Sequence, residues 1–185
     1  SAVRNDASDY NIAIGQNAAT GGTGAMIGCV AIGNNAMDAT AGNAQTGTIA
    51  IGQNAGGSIV HADCSGHVLI GHEAGADISY GFGNTAVGFE ALNAATTDDY
   101  NTAFGYRALH QVSGENVNHN DGFGYNAGRF CTTGKYNVFV GALSGQGITG
   151  AKLTGNSNTA VGKGAGLLLQ GAANTNTALG YLSGS

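Results

Sequence analysis

Proline and tryptophan are absent from this 185-residue chain, and charged residues make up only 9 % of it. Without proline, and without a three-residue glycine period, a collagen-type triple helix is excluded. No apolar run approaches the roughly 18 residues that a membrane-spanning helix needs. Six Lys plus Arg against eleven Asp plus Glu leave a net charge of −5, the wrong sign for a phosphate backbone. The three cysteines, Cys29, Cys64 and Cys131, cannot all pair within one chain, so no disulfide framework exists. Large apolar residues are also scarce. Leu, Ile, Val and Phe total 36, about a fifth of the chain. That level borders on disorder, but disorder also requires a high net charge, which is missing.

Small residues are abundant, with 34 glycines and 30 alanines. They are not scattered. A unit of small residue, large apolar residue, Gly, two variable residues and then Ala or Ser recurs ten times. Its glycines are Gly15, Gly33, Gly52, Gly71, Gly88, Gly105, Gly124, Gly141, Gly162 and Gly180, 17 to 21 residues apart. Immediately before them stand Ile14, Ile32, Ile51, Ile70, Val87, Phe104, Phe123, Val140, Val161 and Leu179. Three residues after each glycine the side chain is always Ala or Ser. Four residues before it, seven of the ten positions are Asn: Asn11, Asn84, Asn101, Asn120, Asn137, Asn158 and Asn176.

Residues two apart share a face of a strand, so Ile49 and Ile51 point one way and Ala50 the other. One such strand cannot bury its face alone, but stacked copies can. The pattern therefore predicts an all-β parallel solenoid or roll, a single repeat domain over residues 1–185 with about ten coils of about 18 residues and no capping segment. The large apolar column is expected to line the interior. The small-residue column, with Ala13, Ala31, Ala50, Leu69, Ala86, Ala103, Phe139, Ala160 and Ala178, is expected to form a second face, buried by self-association. The glycines are expected to serve turns that need positive φ or close backbone approach. The asparagines are expected at turns, where stacking would align their amides into ladders. A second short strand is expected in each return segment. The one candidate for a helical turn is Gly166–Gln170, around Leu167-Leu168-Leu169.

Asn-Thr-Ala-Val-Gly, at Asn84–Gly88 and Asn158–Gly162, resembles the tandem repeats of bacteriophage tail fibres. Val30-Ala31-Ile32-Gly33 with the following Ala36 resembles the head repeats of trimeric autotransporter adhesins. The second resemblance implies a left-handed β-roll arranged as a homotrimer. The Ile-Gly-x-x-Ala unit is also similar to the hexapeptide repeat of left-handed β-helical acyltransferases. In that family the hexapeptide normally covers three faces per coil, whereas here one segment per coil obeys it.

The chemistry-bearing residues are few. His61, Cys64 and His67 lie close enough in sequence to be candidate metal ligands. His67 also stands in the Asn column, which gives it a structural role instead. Asp98-Asp99 is a candidate oxygen pair for calcium or, more simply, a solvated turn. The cysteines read as small buried hydrophobes. The position after the glycine holds Phe89, Tyr106, Tyr125 and Tyr181, whose rings suit either a glycan or a neighbouring subunit. No nucleophile–base constellation, cofactor-binding motif or phosphate loop is visible, so no catalytic residue and no cofactor is assigned.

The expected function is a non-enzymatic, structural or adhesive segment of an extracellular fibre on a cell surface or virion. Its expected partners are copies of itself and a host-surface glycan or receptor. One alternative is a self-polymerising filament subunit. Nine acidic and no basic residues over 5–106, against five basic and two acidic over 107–185, would favour head-to-tail contacts. The other alternative is a β-helical acyltransferase, for which His110 and His119 are the candidate bases outside the His61–His72 cluster.

Overall fold

The computed structural model describes residues 9–21, 24–41, 43–61, 64–114 and 118–185. These residues are all-β, with no helix among them. The strands are β1 (Ile12–Ile14), β2 (Met26–Ile27), β3 (Val30–Ile32), β4 (Gln45–Thr46), β5 (Ile49–Ile51), β6 (Val68–Ile70), β7 (Thr85–Val87), β8 (Thr102–Phe104), β9 (Asp121–Phe123), β10 (Val138–Val140), β11 (Thr159–Val161) and β12 (Thr177–Leu179). Ten of them, all but β2 and β4, form one sheet in which each strand pairs in parallel with the next coil's strand. The register is strict: Ile14 opposes Ile32, Ile32 opposes Ile51, and so on to Val161 opposite Leu179. The chain is thus a β-solenoid, and the sequence repeat is its coil.

The return segments are less regular. Among the described residues only β2 and β4 pair there as strands, and later coils keep isolated bridges such as Cys131 to Leu153 and Leu153 to Gly171. Among those residues the second strand expected in every coil is therefore confined to two. All variation in coil length falls in this segment, which breaks the hydrogen-bonding register from coil to coil. Gly166–Gln170 is a turn rather than helix, and Gly164 and Gly166 have φ of 67° and 56°.

The glycine column sets the stacking distance. Its ten members have φ between 115° and 139°, a region open essentially to glycine alone. A β-carbon at any of the nine from Gly15 to Gly162 would also collide with the backbone carbonyl group of the next coil's glycine. Two further positions, two and four residues after the glycine, are left-handed in all ten coils, whatever their side chain. Arg107 and Leu109 are examples, at 53° and 47°. The strain at a non-glycine residue there is about 1–2 kcal/mol. It is offset because the N–H groups then alternate between neighbours: Arg107 donates back to Phe89 O at 2.9 Å, and Leu109 donates forward to Ala127 O at 2.9 Å.

The inside and outside of the coil are the reverse of the sequence expectation. The middle residue of each strand faces inward. Ala31, Ala50, Leu69, Ala86, Ala103, Phe139 and Ala160 are fully buried. The large apolar column faces outward: Ile14 is 59 % exposed, Phe104 54 %, Phe123 41 %, Val140 37 % and Leu179 75 %, and Ile32, Ile51, Ile70, Val87 and Val161 are partly exposed. The physical reason is width. The paired left-handed turns close each coil so tightly that the strand contributes mostly methyl groups to the interior, and other large buried side chains, such as Ile78, Leu92 and Leu109, come from the turn and return segments. Bulk is accordingly traded between positions. Beside Phe139 stand Gly128 and Gly145, where a β-carbon would run into its ring, and beside Leu69 stand Gly56 and Gly75. Where the strand instead contributes Gly122, the space is taken by Leu109, whose Cγ would lie 2.8 Å from an added β-carbon.

These contacts distinguish two kinds of glycine. Gly105→Ala should cost roughly 3 kcal/mol, since it combines φ strain with a backbone collision. Gly47→Ala, at φ 63° with nothing within 4 Å of the added carbon, should cost only about 1 kcal/mol. Denaturant unfolding of the two variants checks the difference, and equal losses would show that close coil approach is not limiting.

Candidate interaction surface

The Asn column is a buried ladder along one edge of the sheet. Asn120 illustrates its saturation. Its Nδ2 donates to Asn101 Oδ1 (3.2 Å) and to Gly134 O (2.9 Å). Its Oδ1 accepts from the backbone N–H of Asn137 (3.1 Å) and from Asn137 Nδ2 (3.0 Å). Asn137 repeats the pattern with Asn120, Gly155 and Asn158. Two donors and two acceptor sites per amide are therefore all used inside the protein, which removes the cost of burying them. His67 takes the same place without breaking the chain of bonds. Its Nδ1 accepts from Asn84 N–H (3.1 Å) and its Nε2 lies 3.0 Å from Gly81 O, so the imidazole is held neutral with its proton on Nε2. Burial lowers its pKa to about 4.

This disposes of His67 as a metal ligand, because both ring nitrogens are occupied. His61 packs its ring on Tyr80 at 4.7 Å, and Cys64 Sγ lies 2.8 Å from Ser79 O. Among the described residues no three His, Cys, Asp or Glu side chains gather around one point. All three cysteines are buried, and desolvation pushes the Cys131 thiol up to about 12. Asp98 is buried, not solvated; its carbonyl accepts from Asn84 Nδ2 at 2.6 Å, while Asp99 Oδ1 accepts from Phe82 N–H at 2.8 Å. The pair holds adjoining coils together. His110 lies 3.1 Å from Glu90 Oε2, which also accepts from Arg107 Nε at 2.6 Å. The Arg107 hydrogen bond holds the Glu90 carboxyl below its usual range, and burial lowers the His110 pKa. His119 is stacked between Tyr100 and Tyr136.

What the chain presents to its surroundings is apolar. Eleven of its 13 aromatic Phe and Tyr residues are exposed, and only Phe130 and Phe139 are buried. Five of them, with His72 and His119, form two ladders beside the outer strand face. After the glycine, His72, Phe89, Tyr106 and Tyr125 stack with centroids 5.0, 5.1 and 5.5 Å apart and planes within 19°. Arg107 places its guanidinium 5.2 Å from the Tyr106 ring centre. On the other flank, five residues before the glycine, Tyr100, His119 and Tyr136 follow at 5.4 and 5.5 Å. This second ladder has no sequence signature, because four other coils place Gly at that position and the remaining three place Tyr10, Ser157 and Thr175. Phe89, Tyr106, Tyr125 and Tyr181 do lie on a regular exposed surface, but Phe89 and Tyr106 have both ring faces covered by neighbours in the ladder.

Comparison with protein-family models, curated proteins and solved structures returns no match. The surface must therefore be judged on its own chemistry. Its first half is aliphatic, with Ile12, Ile14, Val30, Ile32, Ile49, Ile51, Val68 and Ile70. Its middle is aromatic, with Phe104 and Phe123 between the two ladders, and its last coils return to Val138, Val140, Val161 and Leu179. The flank after the turn is polar in the early coils and carries a cleft of about 360 Å³. The cleft opens where Gly57 and Ala76 leave two levels with no more than a methyl group, and Asp38, Glu73 and Asp77 give it an acidic lining.

The His67 geometry fixes a pH dependence. The folded-state pKa lies below the unfolded value near 6.5, so the unfolded chain binds the proton more readily. Stability is full above about pH 6.5 and falls as the pH drops towards 4. The loss reaches about 3 kcal/mol. His67→Asn, which continues the ladder without a titrating group, should flatten that part of the profile. Unfolding free energies of both proteins from pH 7 to pH 4 provide the check; parallel curves would refute the assignment.

Proposed function

We propose that this chain is a non-enzymatic structural and adhesive segment of an extracellular fibre, of the kind found in phage tail fibres or surface adhesins, and that it works as a parallel homotrimer. The observation that carries this reading is the bare outer face of the sheet. Parallel sheets are ordinarily covered on both faces, and their strands then read as near-continuous apolar runs. Ile-Ala-Ile, Val-Ala-Ile and Val-Leu-Ile are such runs. Yet only the middle residue is buried by the chain itself. An apolar strip continuous over ten coils marks an interaction surface. Copies of the same chain are its natural cover, because their coils repeat with the same rise and can match it level by level.

A self-associating rod with strict axial periodicity serves as a spacer or a display surface, and the exposed rings supply the contacts with a receptor or glycan. The residues singled out as catalytic alternatives are engaged structurally: His110 with Glu90, and His119 between two tyrosines. These roles support the fibre reading over the acyltransferase one.

The expected solution mass is three times 18.2 kDa at micromolar concentration. Ile32→Asp with Ile51→Asp, placed on the outer face, should shift the protein to monomer while leaving its β-type circular dichroism. Ala50→Asp, which puts a carboxylate in the closed interior, should instead cost several kcal/mol and unfold the coil. Light scattering and thermal melts of the variants test both halves; a wild-type monomer would refute the self-association.

A further inference from the structure

The ladder after the glycine stops abruptly, and its end has the form of a ligand site. Tyr125 is covered on one face by Tyr106. The next coil places Ala142 at the same level of the column, as the hydrogen bond from Leu143 N–H to Tyr125 O at 2.8 Å shows. The coil after that places Lys163 there, with Gly164 N–H on Ala142 O at 2.9 Å. Two coil rises, about 10 Å, therefore separate the Tyr125 ring from the Lys163 stem, with one methyl group between them. Among the described residues no ring other than Tyr106 contacts Tyr125, which is 51 % exposed. Lys163 is exposed, leans over Tyr181 with Nζ 5.9 Å from the ring centre, and has no ion pair among the described residues. The space is one rung of the ladder left out: too narrow for two rings and wide enough for one.

We propose that this vacant rung binds a six-membered sugar ring bearing a carboxylate, such as a uronic acid within a glycan chain. The C–H face of a pyranose carries partial positive charge and complements the negative face of a tyrosine ring. Lys163 supplies the partner for the carboxylate. The balance of charge over these coils agrees in sign, since the chain from Arg107 onward has five basic residues and two acidic ones. A single open platform binds weakly. A fibre that presents the same rung on each copy raises the effective affinity without new contacts. The inference deepens the adhesive half of the proposed function and depends on it only for that avidity.

The test is saturation-transfer NMR with a tetrasaccharide of alternating glucuronate and N-acetylglucosamine, with neutral chitotetraose as control and light scattering on the same samples. The wild-type protein should transfer saturation to the ring protons of the acidic sugar, with the neutral sugar at least fivefold weaker. Ala142→Tyr should abolish the signal while keeping the fold, because Tyr already occupies this column at Tyr106, Tyr125 and Tyr181. Lys163→Gln should reduce the acidic sugar to the level of the neutral one. Undiminished binding by Ala142→Tyr, or equal binding of the two sugars by the wild type, would overturn the site. Loss of the sugar signal in a protein of trimer mass overturns this inference alone. A sugar signal from a protein of monomer mass supports it and overturns the self-association reading alone.

Discussion

Everything in this protein depends on how closely one coil can approach the next. At the turn after each strand, the carbonyl group of one glycine occupies the space in which the preceding glycine would carry a β-carbon. Nine consecutive contacts of this kind fix the rise of the coil at the distance of a β-ladder. Once the rise is fixed, every column in the sequence becomes a line along the solenoid. Identical or compatible side chains are stacked whether or not that is locally favourable. Asparagine benefits most, since its amide can donate and accept along the line. A fully bonded buried ladder results from a residue type that is otherwise rarely buried.

The same close approach decides what lies inside. Tight turns built on alternating left-handed residues leave an interior only about one side chain thick. Alanine fills most of the strand's inner positions, and where Leu69 or Phe139 takes its place, glycines face it. The bulky residues flanking each alanine must then point outward. The consequence is a parallel sheet with one closed face and one open apolar face. The proposed self-association follows from that imbalance rather than from any particular residue.

Charge and aromatic character are distributed over this frame in blocks. Early coils carry amides and carboxylates on the flank after the turn; middle coils carry stacked rings; late coils carry small residues and lysine. In-register stacking converts each block into a patch with its own chemistry. It also makes any departure from a column conspicuous. His67 replaces an asparagine by reproducing its donor and acceptor, whereas Ala142 interrupts a run of rings and leaves a gap.

The sequence by itself determined the fold class, the length of the coil and the position of each strand of the ten-stranded sheet. Repetition exposes these directly: a glycine every 17 to 21 residues, preceded by Ile, Val, Phe or Leu and followed by Ala or Ser, allows little but stacked strands. The asparagine ladder was legible for the same reason. The choice of inner face was not. Alternation in Ile49-Ala50-Ile51 separates two faces but does not say which is enclosed, and the usual preference for large apolar residues inside points the wrong way here. Only the tertiary structure decided it, through the width that the turns leave between opposite walls. The roles of His67, Asp98 and the Tyr100–His119–Tyr136 ladder were likewise decided by neighbours 14 to 19 residues away in sequence but one coil away in space.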